Sequence, residues 1–255
     1  MSLNLLNIAS LWQDFQRTFY TEPLMFILNL LFVVLVLKHK LKDRQFRILM
    51  VYGIAALIQD LISFWGSLSD YVSVELYNDT YVVDKITIIM FILIEFYSFS
   101  RFFYYQFEDK PLQGMIKNIS NILTALFPTV SIFLIISSTI ALYSLISYLS
   151  VISSILLLVP CFYYFYLLFT DPPIKNLLIE PSFWITTGIA FLQGLNIPLF
   201  LINNFIKHRH ESIWIDIYTI NFVAYCFLFI LFIIAIICGS SWKQESLHQT
   251  TPLTS

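Results

Sequence analysis

From Ile119 to Thr170, about fifty residues, the chain carries no Asp, Glu, Lys, Arg or His. A soluble fold cannot hide so long an apolar run, whereas about 20 such residues in a helix cross the roughly 30 Å hydrocarbon of a bilayer. The run therefore exceeds one crossing and must reverse, with a tight turn expected near Tyr143 to Ser147. The rest of the chain repeats the pattern. Seven apolar stretches can be drawn: Thr21–Leu37, Gln45–Leu68, Val83–Phe107, Ile119–Leu142, Ser147–Phe169, Ser182–Phe205 and Ile213–Cys238. Each is about 17 to 26 residues, long enough to cross with some tilt. Of the 255 residues only 12% are charged and 58% are hydrophobic, against about a quarter charged in a soluble domain.

The expected fold is therefore all-α, a seven-helix transmembrane bundle. Residues 21–239 form the bundle and 240–255 a short disordered cytoplasmic tail, too short for a domain. Residues 1–20 lack the basic leader and small-residue cleavage site of a signal peptide. Instead Leu5, Ile8, Trp12, Phe15 and Phe19 recur at helical spacing, as in an interfacial segment. Lys and Arg in short loops collect on the cytoplasmic side. With the N-terminus outside, the inner loops receive Lys38, Lys40, Lys42, Arg44, Arg47, Lys110, Lys117, Lys175 and Lys243. The outer ones receive only Arg17, Lys85, Lys207 and Arg209, so an outside N-terminus and a cytoplasmic C-terminus are expected.

Within this frame one acid stands out. Glu95 follows Asp84 by about eleven residues, and at about 1.5 Å of rise per residue it lies roughly 16 Å deep, near mid-membrane. A charge there costs at least about 2.5 kcal/mol, so such residues face the protein interior and mark function. The bland alternative is a protonated carboxyl that only joins helices. In the second stretch Gly53, Ala56, Asp60, Ser63 and Ser67 form a small, polar stripe suited to close helix contact, with Asp60 in its outer half.

Further polar groups follow helical spacing. Gln193 and Asn196 lie one turn apart, Asn204 and Asn203 continue their two faces, and Tyr218, Asn221 and Tyr225 share a face. Asn29 sits midway in the first stretch. With Glu95 these are expected to line a polar interior in the outer half, and for the amides interhelical bonding alone is the competing reading. Arg101, six residues after Glu95, is about 120° away and no natural partner for it; snorkelling beside Tyr104 and Tyr105 is expected instead. Pro128, Pro160 and Pro198 interrupt three stretches, where each removes a backbone hydrogen bond.

Motifs for chemistry are missing. His39, His208, His210 and His248 all fall in loops or the tail, which leaves no buried ligands for haem or zinc, and no cofactor or metal is expected. Cys161, Cys226 and Cys238 are far apart, and no nucleophile elbow or phosphate-binding glycine loop occurs. An enzyme is not expected. Nor is a nucleic-acid partner, since the net charge is −2 and no basic stripe occurs.

Two resemblances can be stated. Asn29, Asp60 and Asn221-Phe222-Val223-Ala224-Tyr225 look loosely like the polar marks of rhodopsin-like receptors, although no proline follows Asn221 and Ser100-Arg101-Phe102 lacks the acid before Arg. The run from Tyr77-Asn78 through Ile94-Glu95-Phe96 to Phe103-Tyr104-Tyr105, with Pro181-Ser182-Phe183-Trp184-Ile185 and Ile213-Trp214-Ile215, resembles uncharacterised seven-helix membrane proteins of Bacteroidota. That resemblance implies a multi-pass protein of the bacterial inner membrane and supplies no activity.

The functional expectation is a small sensory or receptor-like module. It binds a small ligand among Asp60, Glu95, Asn196, Asn221 and Tyr225 and signals to a separate cytoplasmic or membrane partner. Gln193, Asn203, Asn204 and Arg101 are secondary candidates. The alternatives are a small-solute transporter, proton-coupled through Glu95, and a membrane scaffold or assembly protein.

Overall fold

The structure, a computed structural model, describes residues 23–39, 44–72, 74–107, 113–119, 121–122, 125, 139–170, 177–206 and 211–249. Within the helices, side chains are described outside 65–85, 139–145, 203–206, 211–218 and 240–249. Every described element is helical: α1 (Pro23–Lys38), α2 (Arg44–Val72), α3 (Val74–Gln106), α4 (residues 113–119), α5 (Thr139–Thr170), a 3-10 turn at Leu177–Ile179, α6 (Pro181–Ile206) and α7 (Glu211–Gln249). Pro23 and Pro181 occupy first helical positions, where the missing N–H leaves nothing unpaired. Pro160 and Pro198 lie inside α5 and α6, and both helices continue past them.

Five helices are long and apolar enough to cross a membrane: Arg44–Phe64, Ile86–Gln106, Ile146–Thr170, Pro181–Ile202 and Thr219–Gly239. In none of them is more than 50% of the most apolar window buried. Large apolar side chains therefore face outward, among them Ile27 and Leu31 on α1, Ile152, Phe162 and Phe169 on α5, and Val223 and Ile237 on α7; Phe169 is 80% exposed. A surface so apolar is what lipid solvates and water does not. Pro23–Lys38 is apolar too, but shorter.

Contacts fix the helix directions. Gln45 at the start of α2 and Ser182 at the start of α6 both bond Gln106 at the end of α3, so α2 and α6 run opposite to α3. A Cβ on Gly239 of α7 would meet Pro181 of α6, which puts the late part of α7 at that same end. Going up the bundle, Phe107 meets Tyr163 and, three turns higher, Phe96 shares a crevice with Leu156 and Pro160. Hence α3 and α5 run in the same direction. The end holding Gln106 is called lower below, and the end holding the α2–α3 connection upper.

The core below mid-depth is aromatic. Phe32, Tyr52, Phe99, Phe229 and Phe232 from α1, α2, α3 and α7 are all almost fully buried, with Tyr52 stacked on Phe229 at 5.7 Å and 8°. The small stripe of α2 is what lets α1 approach: a Cβ on Gly53 would come within 2.7 Å of the Phe32 ring, while Ala56 is buried and Asp60 meets Asn29.

Three expectations change. The turn near Tyr143 to Ser147 is absent, because α5 runs unbroken from Thr139 to Thr170. The sequence Tyr-Ser-Leu-Ile-Ser holds no glycine or proline to stop a helix, and a serine inside lipid keeps helical hydrogen bonds more cheaply than it breaks them. The fourth stretch consequently cannot reach Leu142, and its residues 120, 123–124 and 126–138 lie outside the described residues. Past residue 239, α7 continues as helix to Gln249 where a tail is expected; residues 250–255, like the interfacial segment 1–20, lie outside the described residues.

Candidate functional site

Glu95 lies mid-way along the membrane-length part of α3 and is 7% exposed. Each of its carboxyl oxygens accepts one hydrogen bond: Oε1 from Gln193 Nε2 of α6 at 2.9 Å, and Oε2 from the Tyr225 hydroxyl of α7 at 3.0 Å. Gln193 is itself oriented. The Ser154 hydroxyl of α5 donates to Gln193 Oε1 at 2.7 Å, which turns the amide nitrogen toward Glu95. The Tyr52 hydroxyl of α2 faces the same carboxyl but is unbonded and fully buried. One carboxyl thus gathers side chains from all five long helices, and both its bonded partners are neutral donors.

The other candidates fall into three sets. Asp60 accepts from Asn29 Nδ2, joining α2 to α1, and lies within electrostatic reach of the Tyr52 and Tyr225 hydroxyls. Asn196 and Asn221 sit one turn above Gln193 and Tyr225 on the same helices; each keeps an Oδ1 with no hydrogen-bond partner, and Asn196 is buried. Arg101 is apart from this group. Its guanidinium lies over Tyr97 and Tyr104 at 5.2 and 5.6 Å and donates from Nη2 to Asn121 Oδ1. Asn203 and Asn204 are on α6, but their side chains lie outside those described.

Two members were absent from the sequence list. Tyr52 is one of 15 tyrosines and Ser154 one of several buried serines on α5, together with Ser147, Ser150 and Ser153. For Ser154 a signal exists, since serines three and four residues apart mark a polar face in an otherwise apolar helix. Tyr52 precedes Gly53 of the small stripe, yet nothing local says that its hydroxyl meets a carboxyl on another helix.

A second junction lies lower on α3. Gln106 Oε1 accepts from Gln45 Nε2 at 3.0 Å and from the Ser182 hydroxyl at 2.8 Å. Close by, Glu180 precedes α6; burial pushes its carboxyl above the ordinary 4.5, against the opposite influence of the Tyr164 hydroxyl. Tyr164 is buried, whereas Tyr166 is exposed and the Trp184 indole donates to the Leu178 carbonyl. Among the described residues no group of His, Cys, Asp and Glu is placed to hold a metal ion, and the three cysteines are free and separate.

Fold and site together define a class: an all-helical protein of membrane character, with one buried acid at the meeting point of its long helices. No family model, curated protein or solved structure matches the chain.

Proposed function

We propose that the chain is a small sensory or receptor-like module of a membrane, which binds a small ligand beside Glu95 and passes the change to a separate partner through its lower helix ends. The observation that supports this most is the reach of the Glu95 junction, where one carboxyl of α3 bonds α6 and α7, faces Tyr52 of α2 and is linked to α5 through Gln193. A ligand that takes one of those hydrogen bonds alters the packing preference of several helices at once, and it shifts a conformational equilibrium by its differential affinity for the two states. The unpaired Asn196 and Asn221 oxygens offer binding groups just above the junction. The test is ligand-induced thermal stabilisation of the purified protein, with Glu95→Gln and Asn221→Ala as variants. Stabilisation by a compound that both variants abolish supports the reading, and variants that leave both stabilisation and cellular response unchanged end it.

The reading includes seven crossings, an outside N-terminus and a cytoplasmic C-terminus in the cell membrane, the bacterial inner membrane in particular. The common direction of α3 and α5 supports an additional crossing between them. A reporter that is active only in the cytoplasm, fused after Ser255, is expected to be active; an inactive reporter that turns active when moved to Asn78 reverses the orientation.

A second reading is a proton-coupled transporter. The Tyr52 hydroxyl favours it, because it stands beside Glu95 without a partner and can accept a hydrogen bond from the carboxyl in its protonated form. Reconstituted vesicles then show substrate flux driven by a pH gradient and lost in Glu95→Gln.

A further inference from the structure

On α3, Ile86, Met90, Tyr97 and Arg101 follow one another at steps of four, seven and four residues, so they form one stripe along the helix. The first three are exposed, and their side chains are of the kind that lipid covers. Arg101 closes the stripe five residues above Gln106, about 7.5 Å by helix rise. That places it near the lower edge of the hydrocarbon, where long cationic side chains reach for the headgroups.

The segment with α4 borders this stripe. Gln113 Nε2 donates to the Tyr104 carbonyl at 3.3 Å, and Arg101 Nη2 donates to Asn121 Oδ1 at 3.1 Å. Lys117 lies four residues from each of these contacts and shares the face of α4 that Gln113 turns to α3; it is exposed. Met115 and Ile119 turn the other way, into the crevice with Phe96 and Pro160. Two cations from different helices therefore border one lipid-facing seam.

Arg101 is held in place but not satisfied. The Tyr97 and Tyr104 rings, at 5.2 and 5.6 Å, orient its guanidinium. Its Nη2 serves a neutral amide, and its Nε is enclosed with no hydrogen-bond partner. The outer edge, Nη1 with the second hydrogen of Nη2, is neither enclosed nor bonded to any described residue. Among the described residues no carboxylate pairs with Arg101 or with Lys117. A guanidinium keeps its charge, so this two-donor edge at membrane depth calls for an anion.

We infer that the lower α3–α4 seam binds an anionic phospholipid, with Arg101 and Lys117 on the phosphate oxygens and one acyl chain along Tyr97 and Met90. The guanidinium edge offers two parallel N–H donors in the geometry of two phosphate oxygens, and Lys117 adds a point charge beside it. Basic seams between membrane helices hold acidic headgroups for this reason. A soluble phosphate finds the same cations but gains nothing from the apolar stripe. A zwitterionic lipid carries its own ammonium, which competes with the protein for the phosphate. The seam is separate from the Glu95 junction, and nothing in it depends on a ligand there.

The experiment is thermal unfolding of the full chain, purified in a neutral detergent and titrated with dioleoyl phosphatidylglycerol. Dioleoyl phosphatidylcholine, dioleoylglycerol and glycerol phosphate serve as matched probes. Phosphatidylglycerol is expected to raise the unfolding temperature, and the matched probes at equal concentration are not. Arg101→Gln is expected to raise the lipid concentration needed for half the effect at least about tenfold, the size of one charge-assisted hydrogen bond. Lys117→Gln is expected to raise it about fivefold, as for one basic residue at a membrane surface. Lys117 is exposed, so its variant decides if Arg101→Gln fails to fold. Arg47→Gln, an exposed base at the same end on α2, is expected to leave the titration unchanged. Equal weakening by Arg47→Gln makes the effect one of diffuse charge and overturns the site. Glycerol phosphate reproducing the effect overturns the lipid, and phosphatidylcholine or dioleoylglycerol doing so overturns the anionic headgroup. Phosphatidylglycerol without effect on the wild type overturns the proposal outright.

Discussion

Glu95 and Gln106 stand eleven residues apart on α3, which is close to three full turns, so they share one face. Each accepts two hydrogen bonds through its side-chain oxygens, and each ties α3 to α6. The lower junction is a neutral amide fed by Gln45 and Ser182, and its demands are met with no charge left over. The upper one is an acid held by neutral donors, with an unbonded Tyr52 hydroxyl alongside. Helix adhesion alone needs only the first kind, because an amide bonds as well and carries no ionisation penalty in a low-dielectric interior. The acid at the crowded position is the costlier choice, and that difference is the physical ground for placing function at Glu95 and structure at Gln106.

The largest effect that tests this contrast is Glu95→Ala. It strands the Gln193 amide and the Tyr225 hydroxyl in the interior and opens a gap, so it is expected to cost about 3 kcal/mol or more in unfolding experiments. Glu95→Gln should cost less than about 1 kcal/mol, since the new carbonyl accepts from Gln193 and the new NH2 donates to Tyr225. If Gln proves as damaging as Ala, the negative charge itself holds the helices and the contrast fails. Next comes Gln106→Leu, which strands Gln45 and Ser182 near the lower end and is expected to cost about 1–2 kcal/mol while leaving any ligand response intact. A lost response would make the lower junction part of the site.

Smaller still is Ser154→Ala, which releases the Gln193 carbonyl and lets the amide flip, at about 1 kcal/mol. Here the telling measurement is ligand affinity, which should fall because the Glu95 partner is no longer held in one orientation. The smallest effect is at Glu180. Its folded carboxyl titrates above the ordinary 4.5, so its contribution is fully present below that value and is lost as the pH rises through the folded value. Glu180→Gln should therefore flatten the stability profile above pH 4.5 and raise stability at neutral pH; a profile unchanged by the substitution places the titration elsewhere.

How much of this was legible beforehand differs by kind of feature. Helix content, the apolar outer face and the inward-facing Glu95 follow from spacing and hydropathy, which are local properties of the chain. The small stripe of α2 was legible for the same reason, and Gly53 and Asp60 do face α1. The Tyr143 to Ser147 turn failed because a long apolar run carries no mark of where it reverses; α5 simply absorbs those residues. Gln193 was ranked second to Asn196, yet it is the one that meets Glu95. Residues one turn apart on a helix look alike in sequence, and only the height at which α6 docks on α3 separates them.

By itself, then, the sequence determined that the chain is helical, that its surface suits lipid and that one carboxylate is carried to mid-depth, since all three depend on composition and period. Tertiary structure alone decided which groups surround that carboxylate. Ser154, Gln193 and Tyr225 lie between 39 and 130 residues from their hydrogen-bond partners. Pairing over such separations is set by how the aromatic core and the Gly53 contact seat each helix against the next, and no local pattern encodes that height.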